Sequence, residues 1–215
     1  MKRRELLANV LGPAMPADKA DDLKPKTSGP RAKYFPNFLM RTHEGKEVRF
    51  YDDLIHGKHV VINMFYADCE GLCPPATANL VKVQEMLKER IGKDIFMYSI
   101  TLRPEQDTPK ALNDYVKMHG VKPGWQYLTG RPADIEVLRR KLGFVDPDPE
   151  RDKDKANHIG LIRIGNEVTD MWIAHPVLAR PSNIIKRILW LETPKDYQAD
   201  DGSAPKTKSP AGTSK

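Results

Sequence analysis

Residues 59–75 read HVVINMFYADCEGLCPP, and this stretch decides the fold. Its first eight residues, 59–66, are mostly β-branched, aromatic or otherwise apolar, which is typical of a buried central strand. Two consecutive prolines follow, and since proline is tolerated only in the first turn of a helix, a helix begins at about Pro74. The stretch therefore predicts a strand that runs almost directly into a helix, with Cys69 and Cys73 at the junction.

The rest of the chain supplies the other elements of an α/β fold. The first helix continues on Leu80, Val83, Leu87 and Ile91 until Gly92. The further elements that we expect are a strand at 94–101, a helix from Thr108-Pro109 to His119, a short strand from Trp125, a helix from Pro132 to Leu142, two strands at 161–164 and 167–173 joined by a Gly165-Asn166 turn, and a helix at 182–191. This order is the thioredoxin arrangement. We predict a thioredoxin-like fold, a central mixed sheet flanked by helices, with an inserted strand-helix before the C-terminal hairpin.

Length and composition exclude several classes of protein. The length of 215 residues suits one compact domain. The mean hydropathy of −0.57 argues against an integral membrane protein. No apolar run approaches the ~20 residues of a membrane helix, so no transmembrane span is expected in this chain. Two cysteines are too few for a multi-disulfide scaffold or a four-cysteine zinc site.

The positive charge lies mainly near the N-terminus. Residues 1–33 carry eight Lys and Arg against four acids, which leaves +2 of the total +6 on the remainder. A nucleic-acid binder carries a basic stripe on its folded part, so nucleic acid is not an expected partner. Both ends are rich in Pro, Lys, Asp and Ser without apolar periodicity. We predict a flexible leader over 1–34, a folded domain over 35–192, a disordered tail over 193–215, and a monomer.

The first fifteen residues, MKRRELLANVLGPAM, have two interpretations. Arg3 and Arg4 followed by leucines resemble a shortened twin-arginine export signal, with a cleavage-like site at 14–17. The apolar segment is short and broken by Gly12, so a plain charged N-terminus is the alternative. The first interpretation places the protein in the periplasm or cell envelope.

The cysteine pair carries the chemistry. Cys73 lies at the predicted helix start and Cys69 in the loop before it, and a helix N-terminus stabilises thiolates. We therefore expect both thiols to be more acidic than a free thiol, whose pKa is ~8.5. Thiolates at this CxxxC spacing can form a disulfide or bind one soft metal ion, and soft sulfur donors favour Cu(I).

One histidine is placed to join the cysteines. His158 follows a polar loop and directly precedes the predicted hairpin, at a junction that approaches the first helix in a thioredoxin-like sheet. An imidazole added to two sulfurs also accommodates Cu(II). A hydrogen-bonded loop histidine is the alternative. His59, at the start of the core strand, is expected far from the cysteines.

Four stretches in order resemble the Sco/SenC family of copper-binding, thioredoxin-fold proteins. They are VVINMFYADCEGLCPPATANLVKVQEML at 60–87, SITLRPEQDTPKALNDYVKMHG at 99–120, WQYLTG at 125–130 and NHIGLIRIGNE at 157–167. The resemblance covers about residues 35–192. It implies that Cys69, Cys73 and His158 bind copper. It also implies a location facing the periplasm or intermembrane space, and a partner that is an oxidase subunit receiving copper or an envelope protein whose thiols are maintained.

The chain departs from the family pattern at two places. Glu70 stands where the family commonly has a proline, and Arg103-Pro104-Glu105 stands where it often has Asp-Pro-Glu. The second change reverses a charge beside the predicted site.

Three functions use the same pair of cysteines. The first is a copper metallochaperone. The second is a thiol-disulfide oxidoreductase with Cys69 as nucleophile and Cys69-Cys73 as the redox-active pair. The third, a structural disulfide, gains little from closing so short a loop.

Other residues near the expected site have simpler interpretations. His175 and Met171 are candidate secondary copper ligands, although an edge-strand histidine and a packing methionine are the favoured alternatives. Asp68 is a candidate proton acceptor for the Cys69 thiol, with a solvated turn acid as the alternative.

Overall fold

A seven-stranded mixed sheet forms the centre of the molecule. The structure, a computed structural model, describes residues 23–153 and 160–192. The strands are β1 (Leu39–Thr42), β2 (Glu47–Arg49), β3 (His59–Phe65), β4 (Ile95–Thr101), β5 (Trp125–Gly130), β6 (Leu161–Asn166) and β7 (Met171–Pro176). They lie in the order β2-β1-β5-β4-β3-β6-β7. The pairs β3–β4 and β4–β5 are parallel, and every other pair is antiparallel.

Helices cover both faces of this sheet. They are α1 (Cys73–Leu87), α2 (Pro109–Met118), α3 (Pro132–Lys141), α4 (Pro149–Lys153) and α5 (Pro181–Trp190). On one face α1 packs against α5, and Thr77 of α1 lies 2.9 Å from the Tyr115 hydroxyl of α2. On the other face Arg163 of β6 donates to the carbonyl of Gly143, just after α3, at 3.2 Å. The predicted thioredoxin-like mixed sheet flanked by helices is confirmed, with β5 and α3 as the inserted unit.

The central strand forms for the reason that its sequence suggests. All seven residues of β3 are buried, between β4 on one side and β6 on the other. A strand covered on both faces and both edges needs a continuous apolar run rather than an alternating one. Its one internal amide, Asn63, accepts a hydrogen bond from Ser99 of β4 at 2.7 Å. The sheet therefore holds the end of β3, and the loop that follows it, in a fixed place.

The predicted hairpin turn is wrong. Gly165 and Asn166 belong to β6, where they pair with Trp172 and Met171 of β7, and the turn comes at residues 167–170. A Cβ on Gly165 would lie 2.3 Å from the Trp172 ring, so this glycine permits a close approach rather than a turn. The left-handed conformation lies instead at Asp170, with φ of 54°.

The start of α1 is predicted to within one residue, but its end is not. The helix ends at Leu87, where Lys88 takes a φ of 49°, and a single 3₁₀ turn follows. Ile91 remains buried beyond the helix end. The prediction that the first helix continues to Gly92 therefore merges α1 with the 3₁₀ turn that follows it.

Residues 23–34 pack against the domain, although the sequence assigns them to a flexible leader. The Asp52 carboxylate accepts hydrogen bonds from the backbone of Lys26 and Thr27, at 3.1 Å each. Buried Glu167 accepts the Arg31 N–H at 3.4 Å as well as the Tyr51 hydroxyl at 2.6 Å. Backbone groups of this segment are thus hydrogen-bonded to the domain. Among residues 23–153 and 160–192, no helix combines the length and the apolar character of a membrane span.

Candidate metal and thiol site

The two cysteines lie together at the start of α1. Cys73 is the first residue of the helix, with Pro74 and Pro75 in its first turn, and Cys69 lies in the loop after β3. The Cys73 backbone N–H donates to the Cys69 sulfur at 3.4 Å. Both residues are free thiols, 7% and 1% exposed. The first residue of α1 therefore donates its backbone N–H to the Cys69 sulfur and bears the second sulfur, that of Cys73.

The two thiols differ in acidity. Burial works against ionisation of Cys69, but hydrogen bonds from the Cys73 side chain and backbone and from Tyr66 outweigh it and lower its pKa. Burial, reinforced by the hydrogen bond to Cys69, raises the pKa of Cys73. The expectation of two acidic thiols is confirmed for Cys69 and wrong for Cys73, because burial of the deeper sulfur disfavours its thiolate.

Tyr66 is a site residue that the sequence does not single out by its chemistry. It ends the β3 run and is buried, and its phenol hydrogen-bonds the Cys69 sulfur. Burial and this hydrogen bond raise the pKa of Tyr66 to about 12, so the phenol keeps its proton at neutral pH. Its position three residues before Cys69 is the only sequence signal that could have identified it.

Asp107 is a second residue that the sequence does not reveal. Its carboxylate is buried after β4, accepts the backbone N–H of Ala67 at 3.1 Å, and accepts the Thr101 hydroxyl. Burial raises the pKa of Asp107. The carboxylate thus ties the cysteine loop to the loop that follows β4.

Asp68 pairs with Arg103 at the surface of the cysteine loop. Its carboxylate forms an ion pair with Arg103 at 3.1 Å, and its side chain is 68% exposed. The role of proton acceptor for Cys69 gains no support from this contact. Glu70 is also exposed at the loop surface.

The two candidate secondary ligands lie at different ends of β7. Met171 is opposite Asn166, which is opposite His59, six residues before the end of β3. At ~3.3 Å per residue, this register places Met171 about 20 Å along the sheet from the cysteine loop. His175 is opposite Ile162, at the end of the sheet where that loop lies. His59 is confirmed as remote from the cysteines.

His158 lies outside the described residues, which resume at residue 160. Gly160 lies against the cysteine loop: a Cβ there would be 3.1 Å from a methyl carbon of Leu72. Within 23–153 and 160–192, no group of three or more His, Cys, Asp or Glu side chains is arranged to hold a metal ion.

The geometry of the two cysteines defines a class of protein. Two sulfurs, one more acidic than the other, lie at the start of the first helix of a thioredoxin-like fold. Such a pair can bind a soft metal ion, or form a disulfide and exchange it with other thiols. The protein is a thioredoxin-fold protein with a CxxxC dithiol site.

The family follows from the comparison with family models. Residues 26–190 match the model described as SCO1/SenC. The chain therefore belongs to the SCO1/SenC family, as the motifs at 60–87 and 157–167 predict.

Known relatives agree with this assignment. The SCO1 protein homolog of Bacillus subtilis is 30% identical over 106 residues, which are 48% of this chain and 53% of that protein. The chain thus spans about half the length of this curated relative. Among solved structures, Bradyrhizobium japonicum ScoI with copper bound has a TM-score of 0.58 at 20% identity, over 72% of this chain and 97% of that one.

A further solved structure is described as BsSco, a member of the Sco family of cytochrome c oxidase assembly proteins, with a disulfide switch. It has a TM-score of 0.58 at 23% identity, over 72% of this chain and 90% of that one. At these identities the two structures support the fold.

Proposed function

We propose that this protein binds one copper ion through Cys69, Cys73 and His158 and delivers it to a copper site of a respiratory oxidase. The observation that carries the proposal is the hydrogen bond from the Cys73 N–H to the Cys69 sulfur, 3.4 Å long. It holds the Cys69 sulfur beside the helix start that bears the second thiol. Sulfur donors suit Cu(I), and an added imidazole accommodates Cu(II) as well.

The third ligand comes from the segment between α4 and β6. Gly160 lies against Leu72, the residue before Cys73, and consecutive residues span at most ~3.6 Å each. His158 precedes Gly160 by two residues in the sequence. On the other side of the segment, Asp152 accepts two hydrogen bonds from Arg139, at 2.6 and 2.7 Å. The contact between Gly160 and Leu72 supports a role for His158 at the cysteine pair.

The descriptions of solved relatives support the proposed recipient and location. One solved relative is described as belonging to the cytochrome c oxidase assembly proteins, and another holds copper. Copper is then the cargo of the protein rather than a resident cofactor. Delivery to an oxidase subunit requires a location in the periplasm or cell envelope, which agrees with the export-like residues 1–17.

Metal analysis of purified variants tests copper binding. Reduced protein incubated with Cu(I) or Cu(II) should retain one equivalent after gel filtration, and Cu(II) should give a sulfur-to-copper charge-transfer band. We expect Cys69→Ser and Cys73→Ser each to weaken the band and His158→Ala to bind copper much more weakly. Met171→Ala, which changes the opposite end of β7 from the cysteine loop, is the control and should bind as the wild type does. Unchanged copper affinity in His158→Ala would contradict the ligand set.

Delivery needs a separate assay. Copper-loaded protein is mixed with the metal-free soluble domain of an oxidase subunit, and the spectrum of the recipient's binuclear copper site is followed. Transfer should depend on Cys69 and Cys73. Copper binding without transfer would limit the protein to copper storage or sensing.

The unequal acidity of the two thiols favours one alternative, a thiol-disulfide oxidoreductase. The pKa of Cys69 is lowered and that of Cys73 raised, as a nucleophile and a resolving thiol require. The Cys69 thiolate would attack a substrate disulfide, and Cys73 would then displace the mixed disulfide, passing two electrons to the substrate. This activity should survive His158→Ala and disappear in Cys69→Ser.

A further inference from the structure

Arg103 lies directly over the loop that carries Cys69. Its guanidinium carbon is 4.0 Å from the centroid of the Tyr66 ring, and one of its terminal nitrogens is 3.1 Å from the Asp68 carboxylate. Only 33% of the Arg103 side chain is exposed, against 68% of that of Asp68. The planar guanidinium thus stacks on one residue of the loop and forms an ion pair with another, a combination that lysine cannot reproduce.

The loop that presents Arg103 is itself held in place. The Arg103 N–H donates to the Thr101 hydroxyl at 2.9 Å, and that hydroxyl donates to buried Asp107. The same carboxylate accepts the Ala67 N–H at 3.1 Å, and the Leu102 N–H donates to the Phe65 carbonyl at 2.7 Å. Because β3 and β4 are parallel neighbours, both loops leave the same edge of the sheet. Hydrogen bonds therefore hold the backbone of Arg103 in place while its side chain contacts Tyr66.

Tyr66 connects Arg103 to the sulfur. Its ring lies beneath the guanidinium, and its phenol hydrogen-bonds Cys69. We propose that Arg103 is a positioning residue that holds the Tyr66 phenol on the Cys69 sulfur and so stabilises the reduced form of the Cys69–Cys73 pair. The proposal rests on the proposed function only in taking this pair as the working site.

A surface ion pair without such a role predicts a different result. Exposed ion pairs are screened by water, so breaking one changes the free energy of unfolding little. If Arg103 only neutralised Asp68, its removal would leave the Tyr66 hydrogen bond and the redox balance of the cysteines unaltered. The proposal requires instead that the effect of Arg103 pass through the phenol of Tyr66.

The test is the redox equilibrium of the metal-free full chain with glutathione. The protein dithiol and oxidised glutathione exchange two electrons and two protons to give the protein disulfide and two reduced glutathiones. We expect Arg103→Ala to shift this equilibrium about tenfold towards the disulfide, which is about 30 mV. Arg103→Lys keeps the charge but loses the planar stack, and should follow Arg103→Ala. Arg41→Ala removes an ion pair with Glu47 on β1–β2, 3.0 Å long, and should match the wild type.

A double variant decides whether the effect passes through Tyr66. In a Tyr66→Phe background, Arg103→Ala should shift the equilibrium less than about twofold, since residues that act as a unit are not additive. A full tenfold shift in that background, no shift in Arg103→Ala, or wild-type behaviour of Arg103→Lys would each overturn the proposal. Thermal unfolding of each variant confirms that the fold is retained. Because no copper is present, the result is independent of whether the copper proposal holds.

Discussion

His59 makes the stability of this protein depend on pH in a way that can be calculated. It begins β3 and is 8% exposed, and burial lowers its pKa from 6.5 to about 4. Below pH 6.5 the unfolded chain binds a proton at His59 that the folded protein excludes, so acid favours the unfolded state. The free energy of unfolding falls as the pH is lowered from 6.5, and this loss is complete near pH 4. With 1.36 kcal/mol per pKa unit, the total is about 3 kcal/mol.

Most of this loss falls within a range that is easily measured. Between pH 7 and pH 5 the same linkage gives a loss of about 2 kcal/mol. The assay is urea unfolding of the wild type and of His59→Gln at several pH values, because the difference between the two proteins cancels the other titrating groups. We expect the wild type to lose stability relative to the variant by about 2 kcal/mol over this range. A difference that does not change with pH would refute the burial of a neutral His59.

Two further predictions concern the thiols and the hairpin. In reduced, metal-free protein at pH 7, iodoacetamide should modify Cys69 at least about tenfold faster than Cys73, since each pKa unit changes the thiolate fraction tenfold. Peptide mass mapping measures the two modification rates. Equal rates would contradict the assigned acidities. Gly165→Ala should lower the free energy of unfolding by about 1–3 kcal/mol through its clash with Trp172. Gly71→Ala, whose Cβ would meet no atom within 4 Å, is the control, and urea unfolding compares the two.

The sequence predicts the elements whose residues carry strong local signals. The apolar run of β3 and the prolines after Cys73 locate the central strand and the start of α1 to within one residue. The strands β1 and β2 have only four and three residues, too few for a periodic pattern, and the sequence does not reveal them. The turn predicted at Gly165 is wrong because a glycine that makes room for Trp172 cannot be distinguished in the sequence from a glycine in a turn.

In the site, too, the sequence predicts the features that depend on neighbouring residues and not those that depend on residues distant in the chain. The spacing of Cys69 and Cys73 and the prolines of the helix start are local, so their place at the junction is predicted. The burial that raises the pKa of Cys73 depends on residues from other parts of the chain. Likewise, Arg103 meets Tyr66 only because β3 and β4 are parallel neighbours, and a separation of 37 residues hides this contact in the sequence.

The central claim is that both sulfurs bind the same copper ion. X-ray absorption spectroscopy of the reduced protein loaded with one equivalent of Cu(I) counts the sulfur ligands of each copper directly. We expect two sulfurs per copper in the wild type and one in Cys69→Ser or Cys73→Ser, with a nitrogen ligand that disappears in His158→Ala. A copper coordinated only by nitrogen and oxygen in the wild type would contradict it.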